Sequence, residues 1–360
     1  MRTLILSAML ATAAILPGSA QQASTPVEAT LLMPQMQLHD PWIVADEESR
    51  TYYLFNRNEP AMSGDPRLGT MVYTSKDLKH WTRPKVVFAL PTSGVWAKAG
   101  SWAPEVHRWK GKWYLFTTFH DEATKLPPQG KRKPYRRGTV MAVADRIDGP
   151  YRLVDNGEPV APKEKMTLDG TLHVDRQGRP WYVYAHEWLQ TTVGTIEAFP
   201  LTDDLKPAGE PRLLFKADEA PWARGQLQPD GDRVWVTDGP ELFRTATGTL
   251  LMLWSSYGER GYVQSLARSR SGGIEGPWEQ LDPLVKRDSG HGMLFRRFDG
   301  QLMMVLHRPF TYALGKLYEM RDDGDRVTVV REATELDLEA YPTHPCSTKE
   351  SPTGNPLPEC

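Results

Sequence analysis

A hairpin that recurs five times along the chain constrains its fold more than any other feature. The segments TYYLF (from Thr51), KWYLF (from Lys112), PWYVY (from Pro180), LLMLW (from Leu250) and QLMMVL (from Gln301) are short and rich in β-formers. Each follows a turn signal, in order DEES, WKGK, DRQGR, TATG and RFDG, so each reads as the second arm of a hairpin. The first arms are PWIVA, PEVHRW, TLHVD, ELFRT and MLFRR, and third strands such as TMVYTS, VMAVAD and VQSLAR follow. Polar connectors ending in Trp or Tyr (DLKHW, IDGPY, IEGPW) close several units, and helical periodicity is absent.

Five similar units of roughly 50–70 residues cannot bury their faces alone. Radial stacking supplies the missing core and removes most open sheet edges, so the expected fold is all-β, a five-bladed β-propeller spanning residues 30–335. A β-sandwich is the rival. It does not explain why polar residues stand at a matching offset before each hairpin.

Counting back from the second arms lands near Asp40, Ser101, Asp169, Asp238 and Ser289. Read as motifs, the mouths are LHDPW with Asp40, GSWAPEV with Trp102 and Glu105, LDGTLHV with Asp169, TDGPEL with Asp238 and Glu241, and SGHGML with His291. In a propeller these positions converge on one axis. Gathering like charges there is costly unless a reaction or a cation requires it. Any single aspartate before Pro or Gly is equally well explained as an Asx-type turn; three of them together with Glu241 and His291 are not.

The rest of the chain bounds the setting. MRTLILSAMLATAAILPGSA reads as a signal peptide over residues 1–20, cut after Ala20, which implies a secreted or periplasmic protein. No later stretch is long and apolar enough to span a membrane. A net charge of -2 argues against nucleic acid as a partner, and the basic run GKRKPYRR reads as a solvated loop. Cys346 and Cys360 lie in a Pro-rich tail, 336–360, where they can close a terminal staple. The 12 Trp and 13 Tyr suit stacking on sugar faces, although most must serve the core. Nothing calls for a second subunit, so a monomer is expected.

The set HDPW, SWAPEV, LDGTLHV, DGPEL and GHGMLF, running from Leu38 to Arg308, resembles glycoside hydrolase family 43. The resemblance implies an inverting glycosidase with a five-bladed propeller that removes arabinofuranosyl or xylosyl units, sometimes galactosyl ones, from a carbohydrate substrate. Carried over by residue, it makes Asp40 the general base, Asp169 the carboxylate that orients the acid and tunes its pKa, and Glu241 the general acid. It makes His291 the channel histidine that touches a calcium ion or its waters, although no dense oxygen-ligand loop is visible; no cofactor is otherwise required.

Trp102, Glu105 and Arg308 are expected to contact substrate: Trp102 against the sugar face, Glu105 at the substrate or bracing its strand, Arg308 reaching a hydroxyl. Inversion needs room for a water between base and acid, roughly 6.5–9.5 Å between carboxyl groups. Pro-rich rim loops favour a pocket and exo action, with α-L-arabinofuranosidase ahead of β-xylosidase and endo-arabinanase. A propeller that only binds carbohydrate is the alternative from another class.

Overall fold

The computed structural model describes residues 30–338, so the signal segment and the two cysteines lie outside the described residues. Five four-stranded antiparallel sheets follow one another, each a meander whose order in space is its order in sequence. Their first strands are Trp42–Asp46, Ala99–Trp109, Thr167–Val174, Asp238–Arg244 and Gly290–Arg296. Each touches the first strand of the next sheet, and the fifth touches the first, so the sheets stand radially around a closed ring. The fold is the expected five-bladed β-propeller, with blades I to V in chain order.

Second strands are sandwiched between neighbouring blades and buried on both faces. They therefore read as continuous apolar runs rather than alternating ones; Leu250 to Trp254 of blade IV are all fully buried. Apolar clusters fill the seams, joining blades III and IV through Trp181, Phe215 and Trp254, and blades IV and V through Leu253, Leu294 and Leu306. The connectors ending in an aromatic residue share one device. Trp81 and Trp278 donate their indole N–H to the carbonyls of Leu78 and Ile274 at 3.1 and 2.9 Å, and the Tyr151 hydroxyl donates to Ile147 at 2.8 Å.

Ring closure uses the segment before blade I. Leu31 bridges Trp81 of blade I, whereas Gln37 bridges Leu314 of blade V and Leu38 donates its N–H to the Ala313 carbonyl at 2.9 Å. Gly315 gives this strap its seat, because a Cβ there would lie 2.8 Å from Leu38 Cδ1.

The mouth of every blade holds a left-handed residue just before the ladder resumes: Asp40 (φ 54°), Ala103 (44°), Asp169 (52°), Gly239 (53°) and His291 (50°), with Ser101 (70°) a second one in blade II. In blades II to V the ladder slips at this point, a β-bulge that re-aims the side chain. The bulges also correct the offset count. The positions equivalent to Asp40 in blades II, IV and V are Ala103, Gly239 and His291, not Ser101, Asp238 and Ser289.

Candidate active site

Three of the five left-handed residues just before a ladder are neither glycine nor alanine, and holding them there is strained. Asp40, Asp169 and His291 meet on the propeller axis. His291 Nδ1 lies 3.2 Å from Asp40 Oδ1 and 3.7 Å from Asp169 Oδ2. Gly239 must be glycine for this meeting: a Cβ on it would stand 2.8 Å from the His291 ring. Its backbone N–H donates to Asp169 Oδ2 at 3.0 Å, which ties the mouth of blade IV to that of blade III.

The charges sort themselves by environment. Burial alone would raise the Asp40 carboxyl, but His291 and His39 beside it hold it well below the usual carboxylate range. His39 Nδ1 is 2.8 Å from Asp40 Oδ1. His307 is neutral: burial pushes it down to about 3, and its Nδ1 accepts the Asp40 backbone N–H at 3.3 Å. Burial also disfavours a charged His291, yet Asp40, Asp169 and Asp238 together raise it to about 9. Asp169 is raised to about 7 by burial and by Asp40, against the pull of His291. Asp238 is raised to about 8 by burial, then by Asp169 and Glu187, although the Tyr262 hydroxyl donates to its Oδ2 at 2.8 Å.

Asp40, Asp169, Asp238 and His291 all face one cavity of about 570 Å³, within the roughly 300–1,000 Å³ range of small-molecule sites. Trp102 lines it as expected, but its ring is flanked by the Arg137 guanidinium at 4.8 Å and the His120 ring at 4.9 Å. Two expected residues do not reach the cavity walls. Glu241 and Glu105 instead border a separate void of about 10 Å³ beneath, shared with Asp40, Trp42 and His291. The reason is register. Each glutamate follows the left-handed residue just before its ladder by two positions, on the inward side of the bulge, so Asp238 holds the lip of blade IV and Glu241 the layer below.

Burial raises both glutamates to about 8, and Glu241 Oε2 has no hydrogen-bond partner. Arg308 is also displaced from its expected place: it donates to Tyr318 Oη at 2.6 Å and Glu332 Oε1 at 2.7 Å, tying strands of blade V together.

The basic run is solvated only in part: Lys131 and Lys133 are exposed, whereas the Arg132 side chain is covered and Arg137 is buried. Lys131 pairs with Asp232 at 3.0 Å and Arg132 with Asp230 at 3.2 Å, clasping the hairpin of Gln226–Leu227 and Arg233–Val234 that walls the cavity. Arg137, Glu187 and Tyr262 are site residues that the motifs missed. Glu187 had a signal, since a carboxylate directly follows the apolar strand PWYVYAH on its mouth side.

Among the described residues, His39, Asp40 and His307 offer three ligand atoms within 4.8 Å of one another. Two imidazoles and one carboxylate fit calcium poorly, because calcium takes six to eight oxygens. Among the described residues no helix is long and apolar enough to cross a membrane.

Known proteins place this architecture. The model of the family described as glycosyl hydrolases family 43 matches residues 33–332. An endo-arabinase from Bacteroides thetaiotaomicron VPI-5482 is 34% identical, with a TM-score of 0.73 over 82% of this chain and 99% of its own. An α-L-arabinofuranosidase from Lactobacillus brevis, 18% identical, aligns over 82% of this chain and 94% of its own with a TM-score of 0.61. An exo-1,5-α-L-arabinanase from a bovine ruminal metagenomic library, 21% identical, aligns over 82% and 97% with a TM-score of 0.58. The last two likenesses speak for the fold alone, and no curated protein matches. With its propeller, its convergent carboxylates and a family match across all five blades, the chain belongs to glycosyl hydrolases family 43, a family of inverting glycoside hydrolases.

Proposed function

We propose that this chain is an exported exo-acting glycosidase that removes terminal pentosyl units, with α-L-arabinofuranosides as its substrates. One observation carries the mechanistic reading. Two carboxyl groups facing the same cavity are driven in opposite directions, Asp40 well below its ordinary value and Asp238 up to about 8. That is the pairing a base and an acid require.

Asp40 draws the proton from the attacking water, its ionised form held by His291 and His39. Asp238 protonates the departing glycosidic oxygen, taking the role first expected of Glu241. Asp169 contributes negative charge that keeps Asp238 protonated, and it orients the lip of blade IV through the Gly239 N–H. Water attack and leaving-group departure occur in a single displacement, which inverts the anomeric centre. The positive charge beside Asp40 in this mechanism is the His291 imidazolium, 3.2 Å from its carboxylate.

Exo action is supported by the hairpin clasp and by Phe310 and Tyr312, which wall the cavity at its sides. Endo action on arabinan is the second reading, favoured by the 34% identity to a protein titled endo-arabinase. Incubating the protein with aryl α-L-arabinofuranoside, aryl β-D-xylopyranoside and linear arabinan separates the two. Release of aryl alcohol and of free arabinose supports the proposal. Internal cuts that yield only oligomers support the second reading, and inertness on all three overturns both.

A further inference from the structure

Between blades II and III the cavity wall carries a buried ion pair whose part in the proposed reaction is confined to the charge that Glu187 adds near Asp238. Arg137 opens the third strand of blade II, Tyr135–Ala144, and Glu187 follows the second strand of blade III. Their side chains meet at 3.0 Å, the residues are 8% and 5% exposed, and both line the cavity. The guanidinium lies 4.8 Å from the Trp102 ring and 5.1 Å from the Tyr135 ring, and it also bonds the Tyr135 hydroxyl, so its plane is fixed. Its Nε has no partner. Glu187 is anchored from behind, because its carbonyl accepts the N–H groups of Gln190 and Thr191 at 3.0 and 3.1 Å.

Stability does not account for this arrangement. A buried ion pair is commonly no better than well-packed apolar residues, and an unsatisfied buried donor costs free energy. A ligand seated in the cavity that both residues line does account for it, and the pair restricts the ligand's chemistry. An anion is repelled by Glu187 and a cation by Arg137. A neutral diol satisfies both, one hydroxyl donating to the carboxylate and its neighbour accepting from the guanidinium.

We propose that Arg137 and Glu187 form a diol clamp that reads two adjacent hydroxyls of the sugar ring seated against Asp40, Asp169 and Asp238, and so determines which sugar the cavity accepts. The clamp rests on the glycosidase reading of the cavity. Its test does not need turnover.

Ring sugars without an anomeric bond serve as probes: 1,4-anhydro-L-arabinitol, 1,5-anhydro-D-xylitol and 1,5-anhydro-D-galactitol, each with its 2-deoxy and 3-deoxy analogue. Calorimetric titration compares the parent with Glu187→Gln and Arg137→Met, and thermal melting confirms that each variant is folded. The parent should prefer one full sugar over a deoxy analogue by tenfold or more, as sites built to bond a hydroxyl do. Either folded variant should lose at least tenfold in affinity for the full sugar and bring that preference to within twofold of unity.

Variants that keep the parent's preference, or that lose full and deoxy sugars equally, overturn the clamp. So does a parent that binds none of the probes. Because Glu187→Gln is nearly isosteric, it remains decisive where Arg137→Met fails to fold. Assays on aryl glycosides run alongside: an inert parent that still discriminates leaves the clamp standing and sinks the glycosidase reading, and an active parent with unaltered variants does the reverse.

Discussion

The Tyr262 hydroxyl donates a 2.8 Å hydrogen bond to Oδ2 of Asp238, a carboxyl otherwise raised to about 8 by burial and by Asp169. The bond favours the ionised form and so opposes the raise. An acid that must be protonated to act loses activity as pH rises through its pKa, so kcat/KM should fall above about pH 8. Removing the bond in Tyr262→Phe should move that basic limb to higher pH while lowering the maximum roughly tenfold through lost orientation. A limb that stays in place or moves down separates Tyr262 from the acid.

Asp238→Asn and Glu241→Gln should behave oppositely. The first should lose roughly 10²–10⁴-fold on natural glycosides, and much less on aryl glycosides whose leaving group needs little protonation. The second should keep activity within about tenfold, since Glu241 borders the lower void rather than the cavity. Steady-state kinetics on both substrate classes decides between the two acids.

Glu241 also has a stability signature. Its folded pKa of about 8 lies above the unfolded value of 4.5, so the folded state binds the proton more tightly. Stability from this group is full below pH 4.5 and is lost as pH rises toward 8. Glutamine removes the ionisation, so at pH 8 Glu241→Gln should melt higher than the parent, by roughly 2 °C or more. Differential scanning calorimetry at pH 5 and pH 8 measures the difference.

His291 should set the acid limb. Asp40 must be ionised to act, and the imidazolium 3.2 Å away helps hold its pKa low. In His291→Gln the acid limb of kcat/KM should therefore shift upward by about one pH unit or more, with kcat falling roughly 10–100-fold. Treating the parent with a calcium chelator should change the rate by less than about twofold, because the charge beside Asp40 resides on a side chain. A large loss on chelation, restored by calcium, would return the metal to the site.

Gly239→Ala should cost activity out of proportion to its size. Its φ of 53° is unfavourable for alanine by roughly 1–2 kcal/mol, and the new Cβ would meet the His291 ring. A fall in kcat of tenfold or more in a protein that still melts cooperatively is the expected result.

The fold was legible because blade repetition writes itself into spacing. Second strands buried on both faces are unbroken apolar runs, and LLMLW marks its strand without ambiguity. The convergence of Asp40, Asp169 and His291 followed from that repeat. The choice between Asp238 and Glu241 did not, because three positions decide which layer a side chain joins and a bulge sits between them. Composition also misled at GKRKPYRR, where Lys131 and Arg132 are neutralised by Asp232 and Asp230 roughly a hundred positions away. Trp102 was found and its neighbour Arg137 was not, since only the fold brings that arginine against the indole.

The strap from Leu31 to Leu38 lies before the first blade in sequence and joins it to the last. Leu31 can reach Trp81 early in synthesis, but Gln37 finds Leu314 only after nearly the whole propeller has left the ribosome. Until then the seam between blades I and V stands open, with the apolar edges of both blades in water. The last step of assembly is therefore an end-to-end docking of high sequence separation, the slow kind of contact. A chain arrested before blade V carries the site residues of four blades but lacks His291 and His307, and it has no ring to hold the others in.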